Sequence, residues 1–326
     1  TGPSRFIRWI EQTVRKCGPW TRCLMVFLNS YSTDMKKRTI AIFAGAIAAC
    51  FFCVTGILAE PLSSEEREGL KALGLDYQFR EITDPRLNRV HVLKIDLALG
   101  KVRLATVIAD DPDGDGPAEA ALTSPLKLAS GQSVLAFVNT NPWSGFDDGS
   151  KKNDHGWIEG QPVDIHGFAV SNGRIRSRPR FNRSTVWVDR QGRLFMGNAP
   201  REGTALEGVA GFKQIVRNGA LVLSSGKERH PRTAIGMDQK GGMMWLVVVD
   251  GRQEGYSEGM DLNELGRLML DLGCWNAVNM DGGGSSIMGL VQEDGELHVV
   301  NSPSDRLLGI VHKIRPLPVV LTVQKK

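Results

Sequence analysis

Residues 243–251, MMWLVVVDG, constrain this chain more than any other stretch. As a strand the run has no polar side to turn toward water, so it must be covered on both faces. It closes a strand-turn-strand unit, TAIGMDQKGGMMWLVVVDG (233–251). A well-signalled helix follows in MDLNELGRLMLDLGCW. Asp261 stands at the N-cap with Glu264 three residues on, the arrangement of a capping box. Leu262, Leu265, Leu268, Met269 and Leu272 supply the apolar stripe, and Gly273 is a natural stop. WNAVNM (275–280) reads as a short buried strand running into DGGGSS. A helix between two strands predicts a parallel neighbouring pair, which would bring Asp250 and Asp281 to one edge of a sheet.

Elsewhere the patterns are mostly those of strands. SSEEREGLKALGL (63–75) predicts a short capped helix. RVHVLKIDLAL (89–99) alternates, with Val90, Val92, Ile95 and Leu97 as inward candidates, and KVRLATVIA after the glycine predicts a hairpin with it. SVLAFVNTNPW (133–143) is a strand entering a polar loop. FAVSNGRI and QIVRNGALV each carry an Asn-Gly turn, and STVWVDRQGRLFMG repeats the strand-turn-strand style. The class is α+β: one mixed domain with a largely β core and a few helices, over 60–326.

The first 59 residues read separately. From Met35, MKKRTIAIFAGAIAACFFCVTGILAEP has a basic start and an apolar stretch to Ala59, the pattern of a signal peptide or a membrane anchor. Residues 1–34 show no clear pattern and read as an over-extended start. These 59 residues take 8 of the 40 Lys/Arg and 2 of the 36 Asp/Glu, leaving 32 against 34, a net charge of −2. The basic balance of the whole chain is therefore no argument for nucleic acid. Cys17, Cys23, Cys50 and Cys53 also lie there, so residues 60–326 keep only Cys274 and must be stable through their core. The segment predicts an exported protein, periplasmic or extracellular, that meets the membrane only through its N-terminus.

Two strand ends carry the chemistry. Asp250-Gly251 and Asp281-Gly282 each end an apolar run, and strand ends at one sheet edge are a common ligand site. Asp-Gly alone also makes tight turns. DGGGSS asks for more than a turn: three glycines and two hydroxyls suit a loop whose N–H groups face an anion or an oxygen-rich ligand. No lysine follows, so it is not a Walker loop, and Ile287 stands where a nucleophile elbow needs glycine. Arg232, after Pro231 at a strand start, suits a phosphate or carboxylate; His230 reads as a loop residue. DDPDGDG (110–116) resembles a calcium loop, but twelve-residue counting from Asp111 reaches Leu122 where glutamate is required, so it reads as an acidic surface loop.

Taken in order, VHVLKIDL, FVNTNPW, HPRTAIGMD, LVVVDGRQEGYSEGMDLNELGRLMLDLGCWNAVNMDGGGSSIM and NSPSDR resemble the phosphodiester glycosidase family over roughly 77–320, most strongly at 230–306. One departure stands out. The family pattern Asn-Gly-Gly-Phe is replaced here by VNTNPWSGF, in which Asn139 matches and the glycines do not. The resemblance implies hydrolysis of a sugar-1-phosphodiester without a required cofactor. Arg232 would clamp the phosphate, aided by N–H groups of Gly282, Gly283 and Gly284 and the hydroxyls of Ser285 and Ser286. Asp281 or Asp250 would be base or nucleophile, and Asn139 and Asn301 would hold sugar groups. Thr233 and Ser304, within the same motifs, complete the substrate-binding set. Two rivals share these residues: a non-catalytic module for anionic glycans, and a phosphodiesterase holding one divalent cation on the two aspartates.

Overall fold

The computed structural model describes residues 62–146, 157–307 and 311–326. The segments 1–34 and 35–59, with four of the cysteines, lie outside the described residues. All of the described residues belong to one unit, Leu58–Lys326. They are mostly strands in several sheets, with three α-helices.

The apolar run forms the strand Met243–Val249, third in a seven-stranded sheet ordered Leu75–Ile82, Asn88–Asp96, Met243–Val249, Arg232–Met237, Asn276–Asn279, Lys213–Arg217, Ala220–Leu221. It is covered on both faces, as its composition requires. Trp245, Val247 and Val249 pack with Leu265, Leu268 and Met269 of the helix Leu262–Asp271. Met244, Leu246 and Val248 join the main core, with Val186, Val209, Leu290 and Leu321 of the other sheets. The helix begins where its cap predicts: the Asp261 carboxylate accepts from the N–H groups of Asn263 (2.9 Å) and Glu264 (2.8 Å), and Glu264 returns a bond to the Asp261 N–H. The first helix, Ser64–Ala72, has the same reciprocal box between Ser63 and Glu66.

Two pairings differ from the sequence expectation. Met243–Val249 and Asn276–Asn279 run the same way but are not neighbours; Arg232–Met237 lies between them, antiparallel to both. The helix steps over one strand because the hairpin 232–249 has already filled the adjacent position. The chain 89–109 is not a hairpin either. The Asp96 carboxylate accepts from Leu99 N–H, a short 3-10 turn forms at Leu97–Leu99, and Leu97 is half-buried there. That turn sends Val102–Ile108 into another sheet, against Val319–Lys325.

Two five-stranded sheets complete the core, ordered 194–197, 184–189, 205–211, 169–171, 174–177 and 297–299, 288–291, 134–139, 319–325, 102–108. The Asn-Gly turns take the left-handed backbone their sequence invites, at Asn172-Gly173 and Asn218-Gly219.

Candidate active site

The interposed strand leaves the predicted geometry intact: Asp250 and Asp281 leave the sheet at the same edge, where Arg232 enters it. Register places Val249 opposite Arg232 and Asn279 opposite Ala234. The main chain then knits the edge together. Met280 N–H donates to Thr233 O (2.8 Å), Asp281 N–H to Thr140 O (2.9 Å) and Gly283 N–H to Pro231 O (2.9 Å).

Asp281 is the exceptional carboxyl. Burial pushes it up to about 6, although hydrogen bonds from the Ser285 hydroxyl and the Gly282 N–H, and the charges of Arg315 and Arg183, pull the other way. Arg315 is fixed from two sides. Its Nε and Nη2 donate to Asp305 (2.8 and 2.9 Å), and its Nη1 donates to Ser285 Oγ (3.2 Å). Arg183 lies over the Phe212 ring at 4.7 Å, and its Nη2 donates to His166 Nδ1 at 3.5 Å. A guanidinium only donates, so Nδ1 accepts and His166 Nε2 carries the proton toward Ser144 Oγ, 2.9 Å away. Burial, then Arg180, holds the His166 pKa below its usual value, so the ring is neutral near pH 7.

The glycine triplet is explained by what packs on it. Gly283 sits at φ +63, and an added Cβ would stand 3.0 Å from Arg252 Nη1. A Cβ on Gly284 would fall 1.8 Å from Asp305 Oδ1 and 2.3 Å from Arg315 Nη2, and one on Gly282 would meet Pro231 O at 2.8 Å. The loop lets two arginines and a carboxylate close down beside Asp281. Of the three glycine N–H groups, that of Gly283 donates to Pro231 O. Arg252, in the left-handed region at φ 57, donates to His230 Nδ1 (3.0 Å), whose Nε2 faces Glu228 (3.4 Å). His230 is thus tied to the rim of the site rather than solvated in a loop.

The other expected residues form a buried frame beneath this surface. Asn139, 1% exposed, takes hydrogen bonds from Thr233 Oγ1 (2.7 Å) and Ile287 N–H (3.1 Å) and donates to Asp281 O (2.8 Å). Asn301 donates to Asp250 Oδ1 (3.0 Å) and Ser286 O (3.1 Å) and accepts from Met288 N–H (2.9 Å). Asp250 itself is 1% exposed and accepts from Asn301, Ser302 N–H and Tyr256 Oη, with His91 Nε2 at 3.4 Å. Both asparagines therefore hold protein groups, and Asp250 braces the loops that carry Arg252 and Asp305. Arg232 commits Nε to Met260 O and Nη2 to Glu228 O, each at 2.9 Å, which anchors the 228–260 rim. Ser286 Oγ, Asn279 Oδ1 and Arg183 Nε are buried with no hydrogen-bond partner among the described residues. Ser304 is half-buried in the segment between Asn301 and Asp305.

Arg183, Arg252, Arg315 and His166 were not singled out from sequence. The extended pattern around Arg183 says nothing of where a long side chain ends, and Arg315 is one basic residue in a loop. The substituted stretch has a local consequence: Ser144 lies in the short strand Trp143–Gly145 and positions His166. Among the described residues, no group of three or more His, Cys, Asp or Glu is arranged to hold a metal ion.

The phosphodiester glycosidase family model matches residues 136–324. The chain belongs to the phosphodiester glycosidase family. Its strands resemble those of the zebrafish N-acetylglucosamine-1-phosphodiester alpha-N-acetylglucosaminidase catalytic domain, solved auto-inhibited by pro-peptide (TM-score 0.57, 21% identity, 77% of this chain and 83% of that one). Proteins from Synechocystis (TM-score 0.51, 15% identity, 78% and 62%) and Burkholderia pseudomallei (0.50, 16%, 73% and 74%) share the fold. At these identities the likeness is one of fold. No curated protein matches.

Proposed function

We propose that this phosphodiester glycosidase family member hydrolyses a sugar-1-phosphodiester, and that Asp281 is its general base. The observation that carries the reading is a carboxyl raised toward 6 with Arg183 and Arg315 facing it and Arg252 over the neighbouring Gly283. Two cations acting on one carboxyl, with a third beside the adjoining glycine loop, suit a substrate whose leaving group is an anion. Asp281 removes a proton from water as the oxygen bonds to the sugar carbon. The carbon–oxygen bond to phosphate breaks, and its electron pair leaves with a phosphomonoester whose charge the arginines neutralise. Such a leaving group needs little acid assistance, and a base with a pKa just below the working pH suits the proton transfer. The zebrafish relative is an N-acetylglucosamine-1-phosphodiester alpha-N-acetylglucosaminidase, which supports an α-linked N-acetylglucosamine substrate as the first to try. The basic-then-apolar segment 35–59 supports work outside the cytoplasm, tested by cell fractionation; recovery in the cytosol would sink that part.

The decisive assay incubates the protein with sugar-1-phosphodiesters and measures free sugar and phosphomonoester, for wild type beside Asp281→Asn, with and without chelator. The expected result is sugar release that falls by about a thousandfold in the variant and survives chelation. Release of intact sugar phosphate would mean P–O cleavage and overturn the proposal.

A further inference from the structure

Five arginines stand among the ten residues of RIRSRPRFNR, 174–183. Arg174–Ser177 is the edge strand of its sheet, and Arg178, Pro179 and Arg180 continue past it exposed. Arg176 and Arg178, with Arg201 from a facing turn, line a cleft of about 640 Å³. Phe168, Ile175 and Pro179 give it an apolar side. At roughly 3.3 Å per residue, the stretch from Arg174 to Arg178 covers about 13 Å, longer than one sugar ring.

The same segment leads to the site. Arg180 Nη2 pairs with Asp164 (2.6 Å), Asp164 lies 3.8 Å from His166 Nε2, and Arg183 donates to His166 and acts on Asp281 through its charge. Acidic neighbours offset only part of the charge. Asp111 pairs with Arg176 and Asp164 with Arg180, while Glu202 lines the cleft beside Arg201. Asp113 is turned back on its own loop, accepting from Ala118 N–H. Arg174, Arg176, Arg178, Arg180, Arg183 and Arg201 therefore outnumber the four carboxylates of Asp111, Asp113, Asp164 and Glu202 on this stretch. Residues 60–326 as a whole carry a net charge of −2, so the stretch is a local concentration and not a general basic surface.

We infer that this cleft binds the continuing, negatively charged chain of a polymeric glycan whose sugar-phosphate linkage is held at Asp281, so that the substrate is an acidic polysaccharide rather than a small molecule. The inference rests on the reading of Asp281 given above. Guanidinium groups in a row suit repeating phosphate or carboxylate groups, and the apolar side suits the faces of sugar rings. No exposed aromatic ring lines the cleft itself, while Phe181 stands fully exposed on the stretch toward Arg183, so the oligonucleotide below separates a glycan from a single-stranded nucleic acid.

The test is fluorescence anisotropy with the full chain in mild detergent. Labelled poly(glycerol phosphate) is the probe, beside a neutral dextran and a single-stranded oligonucleotide of equal charge. Arg178→Ala/Arg201→Ala should weaken binding of the polymer by about tenfold or more, and Arg178→Lys/Arg201→Lys should restore most of it. Both side chains are exposed, so melting temperatures should match wild type. Unchanged polymer binding in the alanine pair overturns the inference, and so does an oligonucleotide bound as tightly as the polymer. Sugar release from a small phosphodiester is read separately. Release that persists at the wild-type rate in Asp281→Asn, with arginine-dependent binding intact, overturns the role of Asp281 while supporting the cleft; release lost in Asp281→Asn, with polymer binding unchanged in the alanine pair, overturns the cleft alone.

Discussion

At Asp281 the fold moves a carboxyl from 3.8 to about 6, and the sign of that displacement separates stability from activity. The folded chain binds the proton more tightly than the unfolded chain, so stability falls as pH rises from about 4 through 6. The loss above pH 6 is roughly 3 kcal/mol at most. Asp281→Asn should therefore melt higher than wild type at pH 7.5 and converge with it near pH 4; a variant that melts lower at both pH values would contradict the burial argument. Activity runs the other way. A base must be ionised, so kcat/KM should drop about tenfold per pH unit below 6, and a flat profile down to pH 4.5 would remove Asp281 as the base. Gly284 is the second test at this scale. A methyl group there collides with Asp305 and Arg315, so Gly284→Ala should shift that pair and cost about a hundredfold in turnover. Wild-type rates in that variant would show that Arg315 does not need its present place.

Local elements follow their local signals. The box at Asp261 satisfies two N–H groups at the start of a helix that supplies Leu265, Leu268 and Met269 to one core layer. Asp261→Ala should lose about 1 kcal/mol, or about 2–4 °C in Tm for a chain of this size, measured by thermal melting. No change would mean that tertiary packing alone sets the helix start. The helix also needs a smooth seat. A Cβ on Gly236 would lie 2.4 Å from Cys274 Sγ and 2.6 Å from Met269 Cε, so the strand beneath is flat where the helix crosses it. Capping boxes and Asn-Gly turns were legible because every group involved lies within a few residues. The 89–109 hairpin was not. Asp96 captures an N–H three residues on, and Leu97 and Ala98 N–H donate to the distant Gly242 O, so the turn rests partly on a long-range partner.

Across the whole molecule, distant segments close the sheets. Val319–Lys325 lies between Val134–Asn139 and Val102–Ile108, and Val319, Val320, Leu321 and Val323 are all buried. A chain ending at 318 should lose two ladders and expose that apolar surface. It should show no cooperative urea transition, and a cooperative transition at wild-type denaturant concentration would refute the placement of this strand. The same long-range closure builds the site. Asn139, Thr233 and Asn301 come from three separate strands or loops and meet beneath the glycine loop.

Short-range signals along the chain fix the set of parts: a strand covered on both faces, a capped helix, Asn-Gly turns, two aspartates ending strands, and a glycine triplet beside one of them. Those signals act over a few residues, so they survive without knowledge of partners. Only the tertiary structure decided which strand lies between the two aspartate strands, and which aspartate is braced within the core and which faces cations. It also decided that Arg183 and Arg315, rather than Arg232, act on Asp281, and that Arg252 lies over Gly283. The reason is physical: strand pairing sets where each backbone enters, and a long arginine side chain ends several ångströms from it, wherever packing and an accepting group hold it.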